Sequence, residues 1–382
     1  MQVAHFIHSF SKLSETFIYD YITSLQRQVE VEVITFHHLN REERPFEKVS
    51  ILSLPWWNIR RIWNIACDTL LGNGTETSAW PVYRQRLKSM FLDQRPDVLH
   101  AHFGPMGVLL SPVARELDIP LIVTFYGYDI SELLRQKKWQ KAYHELANVA
   151  SYVTVLSEEM KIRALEAGFS EEQTKVVHLG TRVDDIAFHS PGHPIKKFLS
   201  IGRLADKKGH LDTLKAFSRV LTKVDHYIQL DIIGDGDLRG DLREYIQENK
   251  LQDNVRLLGR LPHSKVVEHL NEADAFVLNS KTAASGDKEG TPTVLVEAQA
   301  AGLPCISTFH SGIPEIIPEE NHRFLADEGD IGQIASNMIK LLKASEDEVK
   351  EISRLGRKRV EEAFDVRGEA KKFETIYKQL AQ

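Results

Sequence analysis

Short apolar runs rich in β-branched and aromatic residues alternate with longer amphipathic stretches in the first half of the chain. "VAHFI" at 3–7 is followed by a stretch with helical periodicity at 14–28, and then by "VEVITF" at 31–36. Four more strand-like runs and three more helix-like stretches follow, at 97–102, 121–127, 152–157 and 175–179, and at 105–117, 131–147 and 157–167. This alternation predicts βαβ units and a parallel sheet. Residues 40–95 lack a clear period, and we expect helices and loops there.

The second half repeats the pattern more regularly. Its strand-like runs are "KFLSIGRL" (197–204), "IQLDIIG" (228–234), "NVRLLG" (254–259), "AFVLNS" (275–280) and "PCIST" (304–308). Helix-like stretches lie near 209–221, 237–249 and 264–271 and within 286–302, and two charged amphipathic helices fill roughly 340–382. Strand runs that are almost continuously apolar are typical of a parallel sheet covered on both faces.

The segment "AFHSPGHPIKK" at 187–197 separates the two halves. It has prolines, a glycine and no periodicity, which indicates a linker. The sequence therefore predicts an α/β protein with two doubly wound, Rossmann-like parallel-sheet domains that face each other across a cleft.

Composition narrows the class of protein. At 382 residues with 42% apolar and 27% charged residues, the chain is long enough for two globular domains. A net charge of −6 argues against a general nucleic-acid-binding protein. The two cysteines are too few for a disulfide framework or a cysteine-rich zinc site. The start of the chain does not resemble a signal peptide, and no apolar run of about 18 residues exists, so we expect a cytoplasmic protein.

A basic loop follows the first strand of the second half. "IGRLADKKGH" at 201–210 carries Arg203, Lys207 and Lys208 directly before a predicted helix. Cations beside a helix N-terminus form an anion-binding corner. The alternative, an exposed charged turn, is the more common explanation of an isolated Lys-Lys pair. The glycine-rich turn at 232–242 is weak evidence by itself, because many βα turns have this composition.

The segment "GDKEGTPTVLVEAQAAG" at 286–302 places two carboxylates in different settings. Thr291 is predicted as the N-cap and Pro292 as the first residue of a helix. Glu289 would then lie in the preceding turn and Glu297 in the second helical turn, poorly solvated. Sugar hydroxyls are suitable hydrogen-bond donors to such a carboxylate, whereas the structural alternative is an ion pair with a nearby cation.

This segment resembles the E-x7-E motif of the retaining glycosyltransferases of family 4, which have the GT-B fold. Other parts of the chain resemble that family's signatures in order: 100–104, 124–129, 155–160, 200–209, 232–242, 255–280 and 312–317. The similarity covers nearly the whole chain and is strongest over about 198–320. It implies an N-terminal acceptor-binding domain over 1–188 and a C-terminal nucleotide-sugar-binding domain over 189–365. It also implies a final helix, 366–382, that packs back on the first domain.

The resemblance implies which residues bind the donor. In the family, the residues matching Arg203 and Lys208 hold the diphosphate, and the one matching Glu297 binds the ribose. Glu289 would contact the transferred sugar. The full donor set is Arg203, Lys208, Gly234, Arg260, Leu261, Glu289, Gly290, Thr291, Pro292, Thr293 and Glu297, with the nucleobase near Arg260 and Leu261. The implied catalytic residues are His102, Arg203, Lys208 and Glu289.

The resemblance also implies acceptor-binding positions, namely Ser14, Glu15, Thr16, His102, Tyr126 and Asp129. His102 would lie near the sugar and the incoming hydroxyl, whereas His100 would face the sheet interior. A histidine at a strand end is otherwise equally well explained as a packing residue. Many relatives have a glycine-rich loop where this chain has Ser14 to Thr16, and a histidine where it has Tyr126.

The function implied is transfer of a sugar from a nucleotide-sugar to a sugar, lipid-linked or small-molecule acceptor, with retained configuration and without a metal. A nucleotide-sugar 2-epimerase and a catalytically silent sugar-nucleotide-binding subunit are the alternatives. The tryptophan-rich stretch 54–71 has two interpretations as well. It is either a helix that touches the cytoplasmic face of a membrane or a helix that packs on the first domain.

Overall fold

The computed structural model of this protein describes residues 1–12, 15–53, 80–191 and 193–381. Ser14 and the stretch 54–71 lie outside the described residues. The chain divides into two compact units. The first comprises residues 1–155, 161–177 and 370–382, and the second comprises 156–160 and 178–369. No helix in the described part of the chain is long and apolar enough to cross a membrane.

The first unit contains a seven-stranded sheet in the order β3-β2-β1-β4-β5-β6-β7. The strands are β1 (Gln2–Phe10), β2 (Glu30–His38), β3 (Val49–Ile51), β4 (Val98–His102), β5 (Leu121–Thr124), β6 (Tyr152–Val155) and β7 (Thr174–Val176). Every neighbouring pair is parallel. The helices along this part of the chain are α1 (Thr16–Leu25), α2 (Trp80–Asp93), α3 (Gly104–Leu117), α4 (Lys137–Ala147) and α5 (Glu158–Glu166).

The second unit contains a six-stranded sheet in the order β10-β9-β8-β11-β12-β13, again with parallel pairs. The strands are β8 (Lys197–Ile201), β9 (Gln229–Ile233), β10 (Val255–Gly259), β11 (Ala275–Val277), β12 (Cys305–Thr308) and β13 (Leu325–Ala326). The helices are α6 (His210–Leu221), α7 (Arg239–Glu248), α8 (His263–Glu272), α9 (Thr293–Ala301), α10 (Ile313–Ile316), α11 (Ile331–Leu342) and α12 (Glu346–Ala363). A last helix, α13 (Val366–Leu380), starts in the second unit, but its residues from 370 onward belong to the first unit.

The central strands of the second sheet are apolar on both faces because each face has its own core. Phe198 belongs to one core cluster together with Phe217 of α6. The next residue, Leu199, belongs to a second cluster together with Leu295 of α9. Successive side chains of a strand point to opposite faces, so a sheet buried on both sides needs apolar residues at consecutive positions. The predicted architecture of two parallel-sheet α/β domains is confirmed.

Three local predictions are wrong. Strand β3 lies within 40–95, where we expect helices and loops, and β13 has no counterpart among the predicted strands, because runs of three and two residues carry no measurable period. The helix predicted over 131–147 begins at Lys137, because a 3₁₀ turn occupies Leu133–Arg135 before it. Helix α9 begins at Thr293 with Pro292 as its N-cap, so the cap and the first helical residue each lie one residue later than predicted. The Thr291 hydroxyl instead donates a hydrogen bond to the carbonyl of Leu156, at 3.1 Å.

Candidate active site

The order of strands in the second sheet identifies where a ligand would bind. The first three strands along the chain, β8, β9 and β10, lie side by side in that order. The next strand, β11, pairs with the opposite edge of β8. The order therefore reverses between β8 and β11. Open parallel sheets bind ligands beside the carboxyl ends of the strands at such a point. The loops that leave these two strands are 202–209 and 278–292. The basic motif lies on the first loop, and the E-x7-E motif begins with Glu289 on the second loop and ends with Glu297 in α9.

Two glycines allow these strand-end loops to pack closely. Gly209 has a φ of +64°, and a Cβ there would lie 1.8 Å from the carbonyl oxygen of Asn279. Gly234 has a φ of +146°, and its Cβ would lie 1.9 Å from the carbonyl oxygen of Gly202. No other residue type fits either position without moving backbone. The contact at Gly209 brings the basic loop against the loop that carries Glu289.

An ion pair joins the two loops. Lys208 Nζ lies 2.7 Å from Glu289 Oε2, and the two side chains are only 14% and 13% exposed. Its neighbour Lys207 bonds Asp287 on the same facing loop, at 2.9 Å. Burial acts to raise the pKa of Glu289, but the charges of Lys208 and Lys207 dominate and lower it to about 2. Glu289 is therefore ionised at neutral pH.

The other predicted donor positions differ in their degree of exposure. Gly290, Thr291 and Pro292 are buried, whereas Thr293 and Glu297 in α9 are half-buried. The Arg203 side chain is exposed and has no hydrogen bond or ion pair to the rest of the described protein. Arg260 is exposed too, and the neighbouring Leu261 packs on the core cluster that includes Leu295. The N-terminus of helix α6 follows Lys208 after Gly209, so its N–H groups lie near that lysine.

The first sheet has its own reversal between β1 and β4, and His102 ends β4 at that point. Both of its ring nitrogens already have partners. His102 Nδ1 lies 2.6 Å from the Tyr126 hydroxyl, and Nε2 lies 2.9 Å from His5 Nδ1. Burial is the main cause that lowers the pKa of His102 well below its ordinary value, so the ring is neutral. The resemblance did not identify His5, which the parallel pairing of β1 with β4 brings to this site.

Asp129 shapes the turn after β5 rather than facing outward. Its carboxylate accepts N–H groups from Gly104, Tyr126 and Gly127 at 2.9–3.0 Å, and the residue is fully buried. Burial raises the pKa of Asp129 to about 6, although these three hydrogen bonds act in the opposite direction. The side chain thus fixes the N-terminus of α3 relative to the turn that carries Tyr126.

The segment after β1 follows the predicted pattern in its described residues. Helix α1 begins at Thr16 with Glu15 as its N-cap residue. Glu15 also forms an ion pair with Lys12, whose Nζ lies 2.7 Å from its Oε1. The Glu15 N–H already donates a hydrogen bond to the Lys12 carbonyl at 2.9 Å, so the first turn of α1 from Thr16 onward is the part that can offer backbone N–H groups to a ligand.

Within the described residues, one cluster has the composition of a metal site. His5, His100 and His102 each offer a ring nitrogen, and these atoms lie within 4.8 Å of one another. Five of the six ring nitrogens already form hydrogen bonds, however, and only the buried His5 Nε2 has no partner among the described residues. His5 and His102 bond each other, and His100 bonds the hydroxyls of Tyr377 (2.6 Å) and Thr124 (2.7 Å). A metal would have to replace these bonds in a fully buried pocket, which makes a hydrogen-bonded histidine cluster the better interpretation.

Comparison with known proteins agrees with the site. Residues 185–359 match the family "Glycosyl transferases group 1", and residues 14–180 match "Glycosyl transferase 4-like domain". The chain is 33% identical over 258 residues to the amylovoran biosynthesis glycosyltransferase AmsK of Erwinia amylovora, covering 66% of this chain and 63% of that protein. It is 28% identical over 394 residues to the putative colanic acid biosynthesis glycosyltransferase WcaL of Escherichia coli strain K12, covering 96% of both.

Solved structures show the same fold at low sequence identity. HepE of Anabaena in complex with UDP and glucose superposes with a TM-score of 0.76 at 17% identity, over 99% of this chain and 100% of that one. The lipopolysaccharide outer core galactosyltransferase WaaB superposes with a TM-score of 0.72 at 19% identity, over 99% and 100% of the chains. The protein belongs to glycosyltransferase family 4 and has the GT-B fold, as the sequence motifs predicted.

Proposed function

We propose that this protein transfers a sugar from a nucleoside-diphosphate sugar to an acceptor hydroxyl, with retained anomeric configuration, during assembly of a polysaccharide or glycolipid. The relatives AmsK and WcaL are named for amylovoran and colanic acid biosynthesis, which supports a polysaccharide product. The HepE structures hold UDP, UDP with glucose, and UDP-glucose, which supports a nucleotide-sugar donor.

The observation that carries the proposal is the Lys208–Glu289 pair at the reversal point of the second sheet. A diphosphate needs cations and N–H donors, and Lys208, Arg203 and the N-terminus of α6 supply both. The sugar of the donor would then lie beside Glu289. A cationic group next to an ionised carboxylate is the arrangement expected where a phosphate must be held and a sugar carbon becomes electron-poor.

The step we propose exchanges one carbon–oxygen bond for another and transfers one proton. The bond between the anomeric carbon and the diphosphate oxygen breaks while the acceptor oxygen bonds that carbon from the same face. The acceptor hydroxyl proton passes to the departing phosphate oxygen, so the products are the glycoside and the nucleoside diphosphate. Lys208 and Arg203 stabilise the charge that develops on the leaving group. We propose that these two cations make a bound metal unnecessary.

The remaining roles extend the same assignment. We assign the ribose to Glu297 and the nucleobase to the stretch containing Arg260 and Leu261. We assign the acceptor side to His102, whose hydrogen bond with Tyr126 sets the orientation of the ring. Both ring nitrogens are already hydrogen-bonded, so His102 would contact the acceptor hydroxyl by exchanging its bond to Tyr126 or to His5. The neutral imidazole would make that contact without adding charge.

A thermal-shift panel tests the proposal. A ligand that binds only the folded state raises the unfolding temperature, so UDP-, GDP-, ADP- and TDP-sugars would be compared at equal concentration. We expect one nucleotide class to stabilise the protein, and Lys208→Ala to lose that shift while keeping its own fold. The stabilising donor is then incubated with acceptor fractions, and NMR of the product reports the anomeric configuration. Stabilisation by none of the donors, or an inverted product, would contradict the proposal.

A further inference from the structure

The peptide of Glu289 is held by a histidine outside the E-x7-E motif. Glu289 lies near the end of the loop 278–292, which contains no helix or strand. Its backbone N–H donates a hydrogen bond to His310 Nε2 at 3.1 Å. His310 follows β12 and is fully buried. A buried acceptor two residues beyond the end of β12 thus fixes a residue whose own loop lacks regular hydrogen bonding.

A second carboxylate determines which nitrogen of His310 is free to accept. His310 Nδ1 lies 2.6 Å from Glu328 Oε1. Burial acts to raise the pKa of Glu328, but hydrogen bonds from His310 and from the Thr282 N–H lower it to about 2. An ionised carboxylate only accepts hydrogen bonds, so Nδ1 must carry the proton. Nε2 is then bare, which is the form that the Glu289 N–H requires.

Glu328 also anchors the other end of the same loop. Glu328 accepts a hydrogen bond from the backbone N–H of Thr282 at 2.7 Å. It also bonds His310 Nδ1 and so orients the ring whose Nε2 accepts the Glu289 N–H. Thr282 and Glu289 are both backbone donors, and a single carboxylate therefore sets the span of loop between them. The Glu289 carboxylate reaches Lys208 from this loop. A displacement of the loop would therefore also move the carboxylate away from Lys208.

We propose that His310, oriented by Glu328, is a positioning residue that fixes the Glu289 peptide and thereby holds the Glu289 carboxylate at Lys208. This inference rests on the glycosyl transfer proposed above. His310 touches neither Lys208 nor the Glu289 side chain through a hydrogen bond, so it acts through the backbone. Its loss should affect the sugar-facing step and spare nucleotide binding, which we assign to other residues.

Two substitutions of similar size distinguish a role of His310 as a hydrogen-bond acceptor from a role in packing alone. Gln at 310 can place its amide oxygen near the position of the imidazole Nε2 and still accept the Glu289 N–H. Asn is one methylene shorter and reaches only toward Glu328. We expect His310→Asn and His310→Ala to lower kcat by about 100-fold, because misplacement by about 1 Å is enough for such a loss. His310→Gln should stay within about tenfold of wild type, and the affinity for the bare nucleoside diphosphate should change less than about threefold in all of them.

Hydrogen–deuterium exchange of the peptide covering 281–292 gives a readout independent of activity. We expect faster exchange in His310→Ala and His310→Asn than in wild type or His310→Gln, because the N–H loses its acceptor. His322→Ala is the matched control. Its Nε2 bonds the carbonyls of Pro314 and Ile317 at 3.0 Å in the same unit, away from Glu289.

The outcomes separate this inference from the proposed function. One outcome is that wild type transfers no sugar while 281–292 still exchanges faster in His310→Asn than in His310→Gln. That result would support the positioning role of His310 and contradict the proposed function. If wild type is active and His310→Asn matches His310→Gln in both kcat and exchange, the positioning role is overturned. Where His310→Ala fails to fold, the Asn and Gln variants still make the comparison. A further test is His310→Ala in the Glu289→Gln background, where we expect less than about a threefold additional loss.

Discussion

Lys208 and Glu289 form a nearly buried ion pair, with 2.7 Å between Nζ and Oε2, although 80 residues separate them in sequence. Such a pair depends on both members, because the desolvation cost of one charge is offset only by the other. The contact between Gly209 and Asn279 brings their two loops together. The basic loop and the E-x7-E motif are therefore two halves of one electrostatic site.

Lys208→Ala should lower turnover by about 100- to 1,000-fold, the loss typical of a single group that stabilises charge in a transition state. The measurement is kcat with the donor found in the thermal-shift panel. Lys207→Ala is the control with the same change in charge one residue away, where the lysine pairs with Asp287. Equal losses in the two variants would indicate a general effect of positive charge and would remove the specific assignment to Lys208.

Glu289→Gln and Glu297→Gln should differ in the kinetic constant they change. The transferred sugar gains positive character in the transition state, so contacts at Glu289 strengthen there and the substitution should mainly lower kcat. The ribose does not change charge, so Glu297→Gln should mainly raise the donor KM. Steady-state kinetics with varied donor measures both. A raised KM with normal kcat in Glu289→Gln would contradict this division.

Chelation should leave most of the activity in place, because in the proposed mechanism Arg203 and Lys208 supply the positive charge that a metal would otherwise provide. The measurement is initial rate before and after dialysis against EDTA, with metal content followed by elemental analysis. Activity that disappears on chelation and returns with manganese would refute metal-independent transfer. Metal that copurifies and is lost in a His5→Ala variant would instead identify the histidine cluster as a metal site.

The stability of the fold should depend on Glu289 in acid. Its folded pKa of about 2 lies below the ordinary value of 4.5, so its contribution is present above pH 4.5 and is lost as pH falls toward 2. The shift corresponds to at most about 3 kcal/mol. Denaturant unfolding of wild type and Glu289→Gln at pH 6 and pH 3 measures it. Between pH 6 and pH 3 we expect wild type to lose more free energy of unfolding than Glu289→Gln. An equal loss in the two proteins would show that Glu289 titrates normally.

The fold was predictable because its evidence is local and repeated. Consecutive apolar residues in runs such as 197–204 predict a parallel sheet that is buried on both faces. Open parallel sheets bind ligands beside the carboxyl ends of their strands, which predicts where the ligand-binding loops lie. Family resemblance supplied Lys208 and Glu289. Neither source indicated that the two side chains pair, since that follows from the close packing of Gly209 on Asn279.

What the sequence did not reveal depends on contacts between distant segments. Thr291 has the residue type of an N-cap, but a carbonyl at Leu156 takes its hydroxyl and the helix starts later. His310 and Glu328 are separated from Glu289 by strands and carry no motif of their own. Their role is visible only as a hydrogen-bonded chain. A histidine followed some residues later by a glutamate is too common a pattern to predict a hydrogen-bonded chain.

Calorimetric titration with the bare nucleoside diphosphate tests most directly whether Lys208 and Glu289 form a donor site. We expect wild type to bind, Lys208→Ala to bind at least about tenfold more weakly through loss of one charge-assisted contact, and Glu289→Gln to bind no more weakly than wild type. Equal affinities for wild type and Lys208→Ala would contradict the assignment of this ion pair to the donor diphosphate.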